Sequence, residues 1–153
     1  MTMRIATISI LLLALALPAT AGASPEPPPP GTPPSLTGLE MTERTILSPS
    51  TPKSTRSRLP RQTTFSFFLN ENATVHVLFK QVLQRGRLVQ RGSMAIDGVT
   101  GKNRIHFAGK TPKPKGGVQF LPAGRWRAFF KARNENGVSA ESWIGFRLVR
   151  PKN

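Results

Sequence analysis

Arg125, Arg127, Lys131 and Arg133 recur at odd-numbered positions of one short segment, with Phe129 in the remaining slot. In an extended strand, alternate side chains share a face. That spacing therefore lines up guanidinium and ammonium groups in a row, the arrangement that meets repeating phosphates or carboxylates with charge-assisted hydrogen bonds. Arg147 and Arg104 on neighbouring segments, and Lys110, Lys113 and Lys115 on an intervening loop, could lengthen the row. Binding of this kind is dominated by counterion release and weakens steeply as salt rises. An exposed Phe129 or Trp143 could stack on a sugar or a base. The competing explanation is a solvated basic strand face with its aromatics packed under loops, because charge runs usually mean solubility.

Other chemistry finds little to work with. His76 and His106 fall at outward positions of alternating segments, and the chain has no cysteine to complete a metal site. The seven acids are Glu26, Glu40, Glu43, Glu71, Asp97, Glu135 and Glu141; most stand in the tail or in turns, and no pair is spaced for shared acid and base work. Ser93, in Arg91-Gly92-Ser93-Met94, lacks the nucleophile-elbow pattern. Gly101-Lys102 does not complete a phosphate loop, and Asn72-Ala73-Thr74 is a sequon that arises often by chance. The residues thus point to no catalytic site, no metal and no cofactor.

The elements that must position the basic row follow a leader. Arg4, an apolar run from Ile5 to Leu17, Pro18 and the small residues Ala21 and Ala23 read as a secretory signal peptide over 1–23, cleaved after Ala23. The run is shorter than the ~20 residues of a membrane-spanning helix, so no span is expected in the exported chain. Residues 24–38 hold seven prolines and two glycines and read as a disordered, polyproline-rich tether. Residues 39–153 read as one domain, too short for two well-packed cores. The formal charge of +15 falls only to +14 when Arg4 is lost, so the exported protein is strongly basic and suited to polyanions. With no disulfide available, stability must come from an apolar core.

That core is written in period-two alternation. Segments 44–48, 63–69, 74–79, 88–96, 104–107, 125–133 and 143–149 read as strands, and no helical periodicity is sustained. Their inward faces carry Phe65, Phe67 and Leu69, then Val75, Val77 and Phe79, then Ile105 and Phe107, then Trp126, Ala128, Phe130 and Ala132, and finally Ile144, Phe146 and Leu148. Residues 49–62 and Gly109 to Gly117 read as loops, the latter from its two prolines, three glycines and three lysines. Seven short strands separated by turn signals indicate an all-β antiparallel sandwich, with a small barrel as the alternative.

The segment Gly124 to Ser139, with an aromatic near its start, alternating inward positions and an Ala-x-Asn-x-x-Gly-x-Ser turn, resembles the penultimate strand of fibronectin type III-like modules. The upstream order is similar to the Ig-like domain of the flagellar hook-cap protein and its secreted bacterial relatives. It comprises Leu47-Ser48-Pro49, Thr63 to Leu69, Ala73 to Val75, Gly86 to Val89, Gly101 to Gly109 and Leu121 to Trp126. The usual second-strand tryptophan is replaced by Phe67 or Phe68, and the Trp-Asp-Gly of hook-cap-like domains by Phe107-Ala108-Gly109. The resemblance implies a seven-strand Ig-like or fibronectin type III-like sandwich serving as a spacer or binding module, with no catalytic residues to transfer.

Together these readings describe a secreted or envelope-associated, non-catalytic spacer, adhesion or binding module. Its expected partner is an anionic cell-surface polymer or an envelope protein rather than nucleic acid, met by a basic face formed by Arg125, Arg127, Lys131, Arg133 and Arg147 with Lys113 and Lys115. The alternative is an extracellular enzyme or enzyme inhibitor, which would gather Glu71, Asp97 or Glu135 with a histidine in one pocket.

Overall fold

Two β-sheets face one another across a core of phenylalanines in the computed structural model, which describes residues 31–54 and 56–151. The expected signal peptide, and residues 24–30 of the proline-rich segment, lie outside the described residues. The strands are β1 (Leu36–Met41), β2 (Thr45–Leu47), β3 (Thr63–Leu69), β4 (Ala73–Val82), β5 (Leu88–Gly98), β6 (Gly101–Phe107), β7 (Lys110–Pro112), β8 (Val118–Phe120), β9 (Gly124–Asn134), β10 (Gly137–Val138) and β11 (Ser142–Val149). The described residues contain no α-helix.

One sheet has the order β1-β3-β6; the other runs β2-β11-β9-β4-β5, with β10 turning back on β9. Every pairing is antiparallel except β2 with β11. The first described strand therefore lies in one sheet, and the chain crosses to the other between Met41 and Thr45. The crossing is tied to β3: the Thr42 and Glu43 N–H groups donate to Thr64 O and Thr63 Oγ1, both at 3.0 Å, and Thr64 N–H donates to Thr42 Oγ1 at 3.0 Å.

The alternation predicted for each strand is the one that packs. Phe65, Phe67, Val75, Val77, Phe79, Phe107, Trp126, Ala128, Phe130, Ala132, Ile144, Phe146 and Leu148 are all buried between the sheets. Phe65 sits at the centre, with its ring centroid 5.3 Å from Phe130, 5.5 Å from Phe107, 6.2 Å from Phe146 and 6.5 Å from Phe79. Phe79 and Phe107 stack across the sheets at 4.7 Å. Of the two second-strand candidates, Phe67 is the core residue; Phe68 points outward under the Lys102 ammonium, 5.8 Å away. Trp126 stacks on Phe146, and its indole N–H donates to Pro122 O at 3.1 Å, so a polar group buried with the ring finds a partner four residues upstream.

Two expectations are corrected. Strand pairing begins at Leu36, within the segment read as tether, because β1 pairs Leu36 with Leu69 and buries Leu36 in the core. Gly109 to Gly117 is not wholly loop: Lys110, Thr111 and Pro112 pair with Phe120, Gln119 and Val118. The proline at the end of β7 fits because a strand end need not supply an N–H to the ladder. Thr111 fills the space that a side chain at Gly92 would occupy, since a Cβ there would meet Thr111 Oγ1 at 2.5 Å.

Replacing Phe65 by Ala is expected to cost about 3–5 kcal/mol in urea unfolding, as for a deeply buried aromatic. Phe68→Ala, on the outer face of the same strand, should change stability by no more than about 0.5 kcal/mol.

Candidate anion-binding groove

The pairing of β9 with β11 sets the geometry of the outer face. Trp126 lies opposite Phe146 on the inside, and the positions on either side of that pair, Arg125 with Arg147 and Arg127 with Gly145, face out. On its other side β9 places Arg127 opposite Lys80 and Arg125 opposite Val82 of β4. Cross-strand neighbours stand roughly 4.5–5.5 Å apart at Cα. Arg125, Arg127, Arg147 and Lys80 thus occupy four adjoining positions of one lattice, with like charges directly opposite one another in two pairs.

These side chains frame a groove of about 390 Å³ lined by Thr45, Val82, Arg125, Trp126, Arg127, Gly145, Phe146 and Arg147. Gly145 opens it. A Cβ built there would meet only Trp126 O at 3.8 Å and the Trp143 ring at 4.0 Å, so the groove owes its floor to a missing side chain rather than to a strained backbone. Arg127 is held at one end with its guanidinium 4.3 Å from the Trp143 ring centroid. Lys80 lies 4.3 Å over the Phe129 ring, and Phe129 and Trp143 pack 6.4 Å apart. Each such cation–ring contact orients a long side chain for about 0.5–1 kcal/mol at an exposed site. Among the described residues, neither Arg125, Arg127 nor Arg147 has a carboxylate partner; the ion pair on this face is Lys131 with Glu141, at 3.4 Å.

The expected basic row is therefore divided. Arg125, Arg127 and Arg147 come together, whereas Lys131 is paired with an acid and Arg133 lies opposite Thr74 towards the other end of the sheet. Lys113 and Lys115 are exposed in the turn of the β7–β8 hairpin, outside the sheet that carries the arginines. Arg104 is on β6, in the opposite sheet, so the cations of the last strands do not form one face. Alternation says which side of its own strand a residue takes but not which sheet the strand joins. Phe129 is 8% exposed, covered by Lys80 and Trp143, while Trp143 is 52% exposed; of the two stacking candidates only the tryptophan is open.

Lys80, Thr45 and Gly145 were missed. Lys80 continues the outward phase of His76 and Leu78, and the strand read as ending at Phe79 runs on to Val82. His76 and His106 are both exposed, on different sheets. Glu71 accepts from Asn136 Nδ2 and Asp97 from Thr74 Oγ1, each at 3.4 Å, and neither they nor Glu135 line the groove. No group of three His, Cys, Asp or Glu residues stands close enough to hold a metal ion among the described residues. Nor is any helix among them long and apolar enough to cross a membrane.

No family model matches the chain, and no curated protein matches it. Among solved structures it is similar to part of a β-glucosidase from Erythrobacter marinus, with a TM-score of 0.38, 11% identity and coverage of 76% of this chain and 15% of that one. A β-glucosidase from Listeria innocua in complex with glucose gives 0.31, 10%, 75% and 16%; the GH3 β-glucosidase of Bifidobacterium adolescentis gives 0.30, 11%, 74% and 17%. The chain spans about one-sixth of each of these proteins, and likenesses this weak carry no functional argument.

A double-mutant cycle on Arg125→Ser and Arg147→Ser should return a repulsive coupling of about 0.2–1 kcal/mol at low salt that shrinks as salt screens the pair. Gly145→Val should leave Tm unchanged or raise it, because the site is strand backbone with open space above it and a β-branched residue suits it better than glycine.

Proposed function

We propose that this is an exported, non-catalytic binding module of the extracellular space or cell envelope, which holds an anionic surface polymer in the arginine groove of its outer sheet. The observation that carries the reading is the set of three arginines around Gly145 without a carboxylate partner. Arginine is the side chain whose planar fork matches phosphate and carboxylate oxygens in pairs. An anion seated between Arg125 and Arg147 would relieve their mutual repulsion, so binding would draw on energy that the unliganded fold forgoes.

The finer fold assignment belongs to the same proposal. Counting β1 and β2 as one strand split between the sheets, the principal strands are seven: β1/β2, β3, β4, β5, β6, β9 and β11. The Trp126 bond to Pro122 O has the form of the corner that Ig-like sandwiches make with a tyrosine near the start of their penultimate strand. Both features support an Ig-like or fibronectin type III-like module.

A module of this kind also has a defined orientation. Ser35 and Asn70 exchange hydrogen bonds, Ser35 N–H donating to Asn70 Oδ1 at 2.7 Å and Asn70 N–H to Ser35 O at 3.4 Å, while Gly31 and Pro33 lie against Asn136 and Gly137. The N-terminal segment thus joins the domain at the end of the sheet where Thr74 pairs with Arg133, and the groove lies at the end where Val82 pairs with Arg125. Eight residues of β9 separate these ends, about 26 Å of strand. A tether rooted at one end would present the groove at the other.

The test is retention of the purified chain on isolated cell-envelope material over a salt series. With three phosphates neutralised, affinity should fall roughly 20- to 40-fold between about 50 and 200 mM salt. Gly145→Val and Arg125→Ser should abolish most of the retention with the fold intact, while Lys131→Ser, which removes a charge already paired with Glu141, should change it little. Retention that is indifferent to salt, or to Gly145→Val, would rule out the groove as the binding site.

A further inference from the structure

The β7–β8 hairpin shows solvent the kind of side chain that the main strands keep inside. Its pairs Lys110 with Phe120 and Pro112 with Val118 share one face, and Thr111 with Gln119 the other. The second face is turned to the body of the domain: Thr111 is buried and fills the space beside Gly92 of β5. The first face is open, with Val118 52% and Phe120 56% exposed. Alternation explains which side each residue takes but not why the outward side of so short a strand is apolar, since the solvated face of an antiparallel sheet normally carries polar residues.

The legs of the hairpin are fixed. β8 leads into Leu121, which is buried in the core and donates its N–H to Gly109 O at 2.9 Å, and Gly109 lies against Pro49. The tip is closed by Lys113 N–H to Gly117 O and Gly116 N–H to Lys113 O, each at 3.1 Å, with Gly116 and Gly117 at φ 87° and 84°. Lys113 and Lys115 are exposed at this tip, and at the base the Lys110 ammonium stands 5.3 Å from the Phe120 ring centroid. Cations therefore bracket the two apolar side chains. The chain has no acid between Asp97 and Glu135, and none of the three lysines pairs with a carboxylate among the described residues.

Val118 and Phe120 make too small a patch for a stable protein interface, which buries roughly 800 Å² on each side. A soluble polyanion would engage the lysines and leave both apolar side chains in water. An anionic bilayer meets both needs, because its headgroups attract lysines and the acyl boundary just beneath them accepts apolar side chains. We propose that the β7–β8 hairpin is a peripheral docking element that seats Val118 and Phe120 in the interface of a bilayer containing anionic phospholipid, with Lys110, Lys113 and Lys115 on the headgroups. Lysine suits that level, its methylene stem lying along apolar surface while the ammonium stays among polar groups. The surface is separate from the arginine groove and shares no residue with it.

The test mixes the full chain with phosphatidylcholine vesicles carrying bromine-labelled acyl chains, with and without phosphatidylglycerol, and reads tryptophan quenching. Phe120→Trp puts a reporter in the hairpin, whereas the native Trp126 is buried and Trp143 lies on the outer face of the larger sheet. Quenching beyond that of the parent therefore reports the hairpin, whatever else of the chain touches lipid. It is expected only where phosphatidylglycerol is present. Adding Lys113→Ser/Lys115→Ser to Phe120→Trp should raise the lipid concentration needed for half-quenching about fivefold per lysine, roughly 25-fold in all. These positions are exposed, so Tm should not move. Adding Gly145→Val instead should leave the quenching unchanged, which lets the groove reading and this one fail separately. No extra quenching in Phe120→Trp overturns the proposal, as does equal quenching without phosphatidylglycerol or in the lysine variant. Extra quenching that Gly145→Val abolishes would place the lipid in the groove and overturn the hairpin alone.

Discussion

The register between β9 and β11 is the constraint from which both the core and the surface follow. Trp126 must enter the core, because its ring stacks on Phe146 and its indole N–H is committed to Pro122 O. With Trp126 opposite Phe146, the pleat leaves no freedom for Arg125 and Arg147: they face outward, side by side. A slip of one residue would send Arg125, Arg127 and Phe129 inward and expose Trp126, Ala128 and Phe130. The aromatic packing that holds the sheets together therefore also holds the like charges together, and the arginine cluster persists at the expense of core energy available nearby.

The same coupling explains what could be read in the sequence. Strands β3, β4, β6, β9 and β11 announced themselves because each buries one face on Phe65, Phe79, Phe107, Phe130 or Phe146, and burial on one face writes itself as alternation. Leu36 was hidden inside a proline-rich stretch, where composition outweighs a single apolar residue, and β7 and β8 are three-residue strands whose pairing rests on the backbone. The candidate site was legible residue by residue and not as a constellation. Arg125, Arg127 and Arg147 could each be placed on an outer face, but the groove exists through pairing partners distant in sequence, Gly145 with Arg127 and Lys80 with Arg127. Arg104 was set on the wrong face for that reason, and Phe129, outward by phase, was covered by neighbours that alternation does not reveal.

Charge is distributed unevenly along the sandwich. Glu71, Asp97, Glu135 and Glu141 belong to the end where the N-terminal segment packs, in the turns and strand ends around Ala73, Gly98, Asn134 and Ser142. Arg44, Arg85, Arg87, Arg125 and Arg147 belong to the far end, whose acids are Glu40 near the end of β1 and Glu43 at the crossing to β2. At the acidic end Lys131 finds Glu141; at the basic end neither Arg125 nor Arg147 finds a carboxylate. Net charge alone would not separate the ends. The pairing does, because it determines which cations have an acid within reach.

A surface shaped only for solubility would intersperse the two signs, since opposite charges across strands stabilise a sheet and like charges weaken it. This face departs from that pattern in two independent ways. Arginine stands opposite arginine on β9 and β11, and a glycine interrupts β11 where a side chain would fit. Each departure costs stability, and neither is required by the core, whose inward residues would pack equally well beneath a neutral face. Both meet at the same end of the same sheet, around one groove. The proposed polyanion-binding role accounts for that coincidence, because it needs both the open floor and guanidinium groups without carboxylate partners.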